Sequence, residues 1–245
     1  MTTYVLVAGA WHGSWCWSVV APLLTAAGHR VVTPDLLGMT QGANAQLEKP
    51  LAVWADQIAD VLRAEPEPVV LVGHSRAGLV ISEVAERVPE KISLLVYLTA
   101  YLLKDGQTLN EVAQEAENAA SFAQMVAFHD DGTATIKPEG VAQLFYNRTD
   151  EHLMRLAREQ LIAEPIAAFI TPVHLTESRF GSVPRAYIEC ADDQAIPLSL
   201  QNAMQAAVPV AFVDQLDSDH SPFFSAPEEL AHSLDRLGSV AGKRF

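Results

Sequence analysis

Residues Val69-Val70-Leu71-Val72 form an unbroken apolar run, rich in β-branched side chains, that passes directly into Gly73-His74-Ser75-Arg76-Ala77-Gly78. A helical pattern follows and is stopped by Pro89. An apolar run without polar alternation reads as a strand covered on both faces, the environment of a parallel sheet between layers of helices. Strand and helix are separated by very few residues, so the chain must reverse direction on a tight turn. Small residues are needed on both sides of that turn because backbone meets backbone there, and Gly73 and Ala77 supply them.

The rest of the chain repeats the alternation. Tyr4–Ala8, Arg30–Thr33, Pro68–Val72, Ile92–Leu98, Arg185–Cys190 and Pro209–Leu216 read as strands. Trp17–Ala27, Leu51–Ala64, Arg76–Val88, Leu198–Ala206 and Pro227–Val240 read as helices. Strands alternating with helices imply right-handed crossovers and an α/β fold with a parallel sheet. Residues 101–180 break the rhythm, reading as helical or irregular with no convincing strand pair. The alternation resumes afterwards, so residues 1–245 read as a single domain and 101–180 as an insertion within it. An insertion there is expected to lie as a cap over the carboxyl edge of the sheet, where ligands bind.

Composition narrows the function classes. The 245 residues are 49% hydrophobic and 19% charged, which excludes a disordered chain. Thirty acidic against sixteen basic side chains give a net charge of −14, unsuited to neutralising the phosphates of a nucleic acid. No apolar run is long enough to span a bilayer and the N-terminus has no basic region ahead of its apolar run, so a cytoplasmic protein is expected. Cys16 and Cys190, both in apolar stretches, read as core thiols rather than a disulfide. There is no H-E-x-x-H, no paired C-x-x-C and no G-x-x-x-x-G-K-[S/T], so no metal or cofactor is expected.

Ser75 stands where a strand-to-helix turn lifts a hydroxyl above the sheet, at the positive end of a helix. Serine there also serves as an ordinary N-cap, but strand, turn and helix together favour a nucleophile. A nucleophilic serine needs a base and an acid to orient it. In chain order the acid follows in Asp192-Asp193, after a predicted strand, and charge alone does not choose between the two. His220 follows in the loop after the last strand and is the candidate base. Oxyanion donors are expected from the N–H of Arg76 and from the first loop, Ala8-Gly9-Ala10-Trp11-His12-Gly13, with Ala10 favoured. Trp11, His12, Phe145 and Tyr146 are candidate substrate-binding residues; Phe122, Met125, Phe128, Leu144 and Phe223 are further candidates for the pocket.

Several motifs together resemble the plant-type methylesterase and hydroxynitrile lyase group of α/β-hydrolases and its bacterial esterase relatives. They are Trp11-His12-Gly13-Ser14-Trp15-Cys16-Trp17, Ala27-Gly28-His29, Gly73-His74-Ser75, Phe145-Tyr146-Asn147, Leu175-Thr176-Glu177 and Asp193-Gln194-Ala195-Ile196-Pro197. The resemblance implies the α/β-hydrolase fold, with a mostly parallel six-stranded sheet and a small helical cap, cofactor-free and often a homodimer. It implies Ser75, Asp193 and His220 as catalytic triad, with Ala10 and Arg76 as oxyanion donors. The chain departs from the group at Ala8, where a histidine usually braces the oxyanion loop, and at Ala77, where the elbow usually has glycine. Ser221 stands where the lyases carry lysine, and Gly9 where they tend to carry threonine. These differences favour a carboxylesterase acting on a small ester. A cofactor-free lyase and a small-molecule receptor with a retained triad are the alternatives.

Overall fold

The computed structural model describes residues 1–40 and 47–241. Among the described residues there are nine strands, numbered in chain order: β1 (Thr3–Val7), β2 (Arg30–Val32), β3 (Val69–His74), β4 (Ile92–Leu98), β5 (Val126–Phe128), β6 (Thr133–Ile136), β7 (Glu164–Pro165), β8 (Arg185–Cys190) and β9 (Phe212–Leu216). Six of them form one sheet in the order β2-β1-β3-β4-β8-β9, every neighbouring pair parallel. The six-stranded α/β sheet expected from the sequence is therefore present. β3, wholly buried, occupies its middle.

Alternate residues of each strand feed different cores. Val5, Val7, Val69, Leu71, Leu95 and Tyr97 pack beneath the helices α2 (Pro50–Ala64) and α3 (Ala77–Arg87). Tyr4, Leu6, Val70, Val72, Leu94 and Val96 pack beneath α1 (Val20–Ala26) and the helix Pro227–Ala241. A sheet covered on both faces has no room for the polar alternation of a solvent-facing strand, which is why β3 reads as an apolar run. From β1 the chain crosses to β2 on one side, and from β3 to β4 on the other. The crossover direction thus changes between β1 and β3, and a crevice opens at their carboxyl ends.

The segment between β4 and β8 corrects one expectation. It carries the short helices α4 (Leu109–Ala113) and α5 (Ala119–Gln124) and a helix over Glu151–Gln160, but it is not free of strands. β5, β6 and β7 form a three-stranded antiparallel sheet. Their lengths of three, four and two residues are too short to display a period-two pattern. A π-helical turn over Val141–Phe145 brings Leu144 and Phe145 inward.

α3 approaches the chain beyond β4 so closely that a Cβ on Gly78 would lie 2.1 Å from the Tyr101 carbonyl oxygen. Backbone on both sides leaves nothing flexible to yield. Gly78→Ala is expected to cost about 1–3 kcal/mol, the range for overpacking a core. Urea unfolding should show a lowered midpoint at constant slope; an unchanged midpoint would contradict the close approach.

Candidate active site

The carboxyl ends of β1, β3, β4, β8 and β9 each deliver one part of the site. After β3 the chain turns at Ser75, which takes φ +54°, the left-handed region that a non-glycine residue occupies only under constraint. Gly9 lies against this turn: a Cβ there would sit 2.8 Å from both His74 Nδ1 and Ser75 Cβ. A Cβ on Gly73 would sit 2.8 Å from the Ala77 carbonyl oxygen. The turn therefore needs glycine at 9 and 73, and Ala77 is accommodated.

The loop after β8 places the two aspartates differently. Asp193, 3% exposed, accepts from His220 Nδ1 at 2.7 Å through Oδ2, and through Oδ1 from the Ala195 and Ile196 N–H groups at 2.7 and 2.8 Å. Thr99, at φ +38° just beyond β4, donates its hydroxyl to Asp193 Oδ2 as well. Asp192 instead sits at the surface, 3.9 Å from the Arg148 guanidinium. Gln201 holds the Asp193 loop at both ends, pairing with the Cys190 backbone and donating to the Ile196 carbonyl at 2.8 Å. The His220 loop is fastened by Asp219, which accepts from the N–H groups of Arg148 and Ser221 and the hydroxyls of Thr149 and Ser225. His74 secures it from below, Nε2 donating to the His220 carbonyl at 2.8 Å.

Ser75 and His220 line one cavity of about 280 Å³ together with Ala10, Trp11, Arg76, Tyr101, Phe122, Phe128, Phe145 and Phe169. Their side chains are not hydrogen-bonded to each other, an arrangement that commonly tightens only when substrate is bound. Phe145 packs on the His220 ring with centroids 5.5 Å apart. Among the described residues the N–H groups of Ala10 and Arg76 have no acceptor, and both residues are on the cavity wall.

Two candidate substrate-binding residues are placed elsewhere. His12 and Tyr146 lie behind the wall, paired at 2.7 Å, and His12 Nδ1 is 2.7 Å from the Ala10 carbonyl. A carbonyl only accepts, so Nδ1 carries the proton and Nε2 accepts from the Tyr146 hydroxyl. His12 therefore braces the first loop. The reason is the left-handed turn at Trp11, φ +62°, which carries the chain away from the cavity before residue 12. Met125, Leu144 and Phe223 are also off the wall, whereas Trp11, Phe122, Phe128 and Phe145 are on it.

Sequence reasoning missed Glu164 altogether. It lies on β7, is fully buried, and pairs with the Arg76 guanidinium, Oε1 to Nε at 2.8 Å. Its Oε2 accepts the Trp11 N–H at 3.0 Å. Burial pushes the Glu164 carboxyl upward in pKa, while Arg76 and the Trp11 N–H pull it back. Burial also pushes His12 down to about 3, against the upward pull of the Ala10 carbonyl. His74 is pushed well below the usual histidine range, by burial first and then by His220 and His12.

The sequence matches the alpha/beta hydrolase family over residues 4–233. It is 31% identical to methylesterase 1 of Arabidopsis thaliana, over 93% of this chain and 92% of that protein. Against a pyrethroid hydrolase of Sphingobium wenxiniae it is 32% identical, over 96% and 86% respectively. It spans 64% of the longer putative methylesterase 11, chloroplastic, of Arabidopsis thaliana, at 32% identity. Among solved structures, a pyrethroid hydrolase from Sphingobium faniae superposes with a TM-score of 0.89 over 99% of each chain at 30% identity. No helix among the described residues is long and apolar enough to cross a membrane.

The buried histidines give stability a definite dependence on pH. An unfolded histidine titrates near 6.5, and His12 and His74 titrate far lower in the fold. Below about pH 6.5 the unfolded chain binds protons that the native chain does not, so stability falls on acidification through that window and rises with pH. Each such proton contributes a slope of about 1.4 kcal/mol per pH unit. Glu164 acts in the opposite sense, so the comparison that isolates the imidazole is wild type against His12→Gln. Urea titrations between pH 7 and 4.5 should show a slope smaller by about one proton in His12→Gln. Equal slopes would mean that His12 is protonated in the fold.

Proposed function

The chain belongs to the alpha/beta hydrolase family, and we propose that it is a serine-dependent carboxylic ester hydrolase in which Ser75, His220 and Asp193 act as a triad. The observation that carries this reading is the 2.7 Å contact of His220 Nδ1 with a buried, fully hydrogen-bonded Asp193 on the cavity that Ser75 lines. Asp193 fixes the Nδ1–H tautomer, which leaves Nε2 as the base. Ser75 Oγ attacks the ester carbonyl carbon as its proton passes to His220 Nε2, and the carbonyl oxygen becomes an oxyanion held by the Ala10 and Arg76 N–H groups. Collapse of the tetrahedral adduct expels the alcohol, which takes the proton from Nε2 and leaves an acyl-Ser75. Water then attacks that ester with His220 again as base, releasing the carboxylic acid and restoring Ser75.

The substrate class follows from the wall. Aromatic and aliphatic side chains dominate it, and among the described residues its one lysine or arginine, Arg76, is already paired with Glu164. A neutral, apolar ester small enough for about 280 Å³ fits; an anionic one finds no counter-charge, and the net charge of −14 repels it. The same lack of a free cation disfavours release of cyanide by a lyase route. The methylesterases and pyrethroid hydrolases among the relatives support ester hydrolysis. The inserted segment acts as the cap, since α4, α5 and the strands β5–β7 supply or flank most of the wall.

Hydrolysis of p-nitrophenyl butyrate is the expected activity, and Ser75→Ala should reduce kcat by about 10⁴-fold or more. The anionic mono-p-nitrophenyl succinate should be hydrolysed with a lower kcat/KM. Absence of turnover by wild type would move the lyase and receptor readings ahead; turnover surviving Ser75→Ala would remove Ser75 from the mechanism.

A further inference from the structure

Four main-chain groups around Ala10 are held by named partners. The Gly9 carbonyl accepts from Arg76 Nη2 at 3.1 Å. The Trp11 N–H donates to Glu164 Oε2 at 3.0 Å, and the Ala10 carbonyl lies 2.7 Å from His12 Nδ1. The Trp11 carbonyl accepts from the Ile162 N–H at 3.0 Å, and the Trp11 indole donates to the Ala134 carbonyl at 2.9 Å. The Ala10 N–H has no acceptor among the described residues, and Ala10 borders the cavity. Resting on the esterase reading above, we propose that the buried Arg76–Glu164 pair is the positioning device of the oxyanion hole, holding the Gly9 carbonyl and the Trp11 N–H so that the Ala10 N–H is aimed at the reacting carbonyl.

The argument is geometric. The Gly9 carbonyl and the Ala10 N–H belong to one trans peptide unit, and no cis peptide occurs among the described residues. In a trans unit the two groups point in opposite directions. A guanidinium on the oxygen therefore turns the N–H to the other side, where Ala10 meets the cavity. A charged donor on the carbonyl also polarises the unit and strengthens the N–H as a donor. Glu164 meanwhile occupies the Trp11 N–H, which keeps that group from competing for the oxyanion position. Arg76 performs two tasks from one residue, its main chain offering a donor to the oxyanion and its side chain setting the direction of the other.

Stability alone does not account for the pair. Arg76 and Glu164 are 1% and 0% exposed, and at such depth desolvation consumes most of the Coulombic gain. Arg76 further lies over the Trp54 ring, 4.3 Å from its centroid, which fixes the guanidinium plane. Ala8 has no polar side chain to brace the loop, so beside His12 the brace comes from Arg76, at the cap of α3, and from Glu164 on β7.

The test is the double variant Arg76→Met/Glu164→Gln, which removes both charges at similar volume and leaves an amide oxygen to accept the Trp11 N–H. On p-nitrophenyl butyrate kcat should fall on the order of tenfold to a hundredfold, somewhat below the loss of an entire oxyanion donor, with KM within about twofold. Affinity for butaneboronic acid, which forms a tetrahedral adduct on Ser75, should fall by the same factor, and affinity for neutral butyramide should not change. Should the double variant fail to fold, Arg76→Lys keeps the charge opposite Glu164 but lacks the fork to reach Gly9 as well, and the same selective loss is expected. A folded variant with unchanged kcat and boronate affinity overturns the proposal, as does a rise in KM alone. Failure of wild type to hydrolyse the ester, or activity surviving in Ser75→Ala, would instead overturn the esterase reading.

Discussion

Everything at this site depends on the turn that holds Ser75 in the left-handed region. A non-glycine residue there stores on the order of 1–3 kcal/mol of strain, which persists only where its surroundings over-determine it. Here they do. The Ser75 N–H donates to the Leu98 carbonyl at 3.3 Å, and the Ser75 carbonyl accepts from the Gly78 and Tyr101 N–H groups, each at 3.1 Å. Those partners sit at the end of β4, in the first turn of α3 and in the chain that enters the insertion. The turn is therefore braced by the middle of the sheet, and Gly9 and Gly73 let the neighbouring backbone close in around it.

The electrostatics are arranged so that support adds no charge beside His220. His12 and His74 both brace the site through main-chain carbonyls, and burial holds both neutral at physiological pH. A protonated imidazole in either place would oppose the imidazolium that His220 becomes in the proposed mechanism. The negative charge needed to stabilise that imidazolium is confined to Asp193, whose oxygens are committed to Thr99, Ala195, Ile196 and His220. The buried Arg76–Glu164 ion pair faces the first loop instead, so in the proposed mechanism one carboxylate serves His220 and another the oxyanion side.

What could be read from the sequence followed from local rules. The apolar run of β3 and its small-residue turn announced a buried strand and an elbow, and the alternation of elements announced the parallel sheet. Ser75 and His220 were legible because each follows a strand at the carboxyl edge; Asp193 needed the likeness of its loop to a known group, since Asp192 carries the same charge. What escaped was set by tertiary contact. Glu164 sits on a two-residue strand with no pattern of its own, and its role exists only because β7 is brought over Arg76. Thr99 looks like any residue after a strand. His12 lies in the right loop but behind the wall, because a left-handed Trp11 redirects the chain. The hairpin of β5 and β6 was within reach: Asp131-Gly132 precedes a Thr-Ala-Thr-Ile run, and Gly132 takes φ +81°.

The central claim is that Ser75 is the nucleophile of this cavity and is activated by His220. Its most direct measurement is the mass of the intact protein, followed by peptide mapping, after exposure to diethyl p-nitrophenyl phosphate. The account predicts a single diethylphosphoryl adduct on the peptide carrying Ser75, release of one equivalent of p-nitrophenolate, and labelling that is lost in His220→Ala. An adduct on any other residue, or ester turnover that continues while Ser75 stays unmodified, would contradict it.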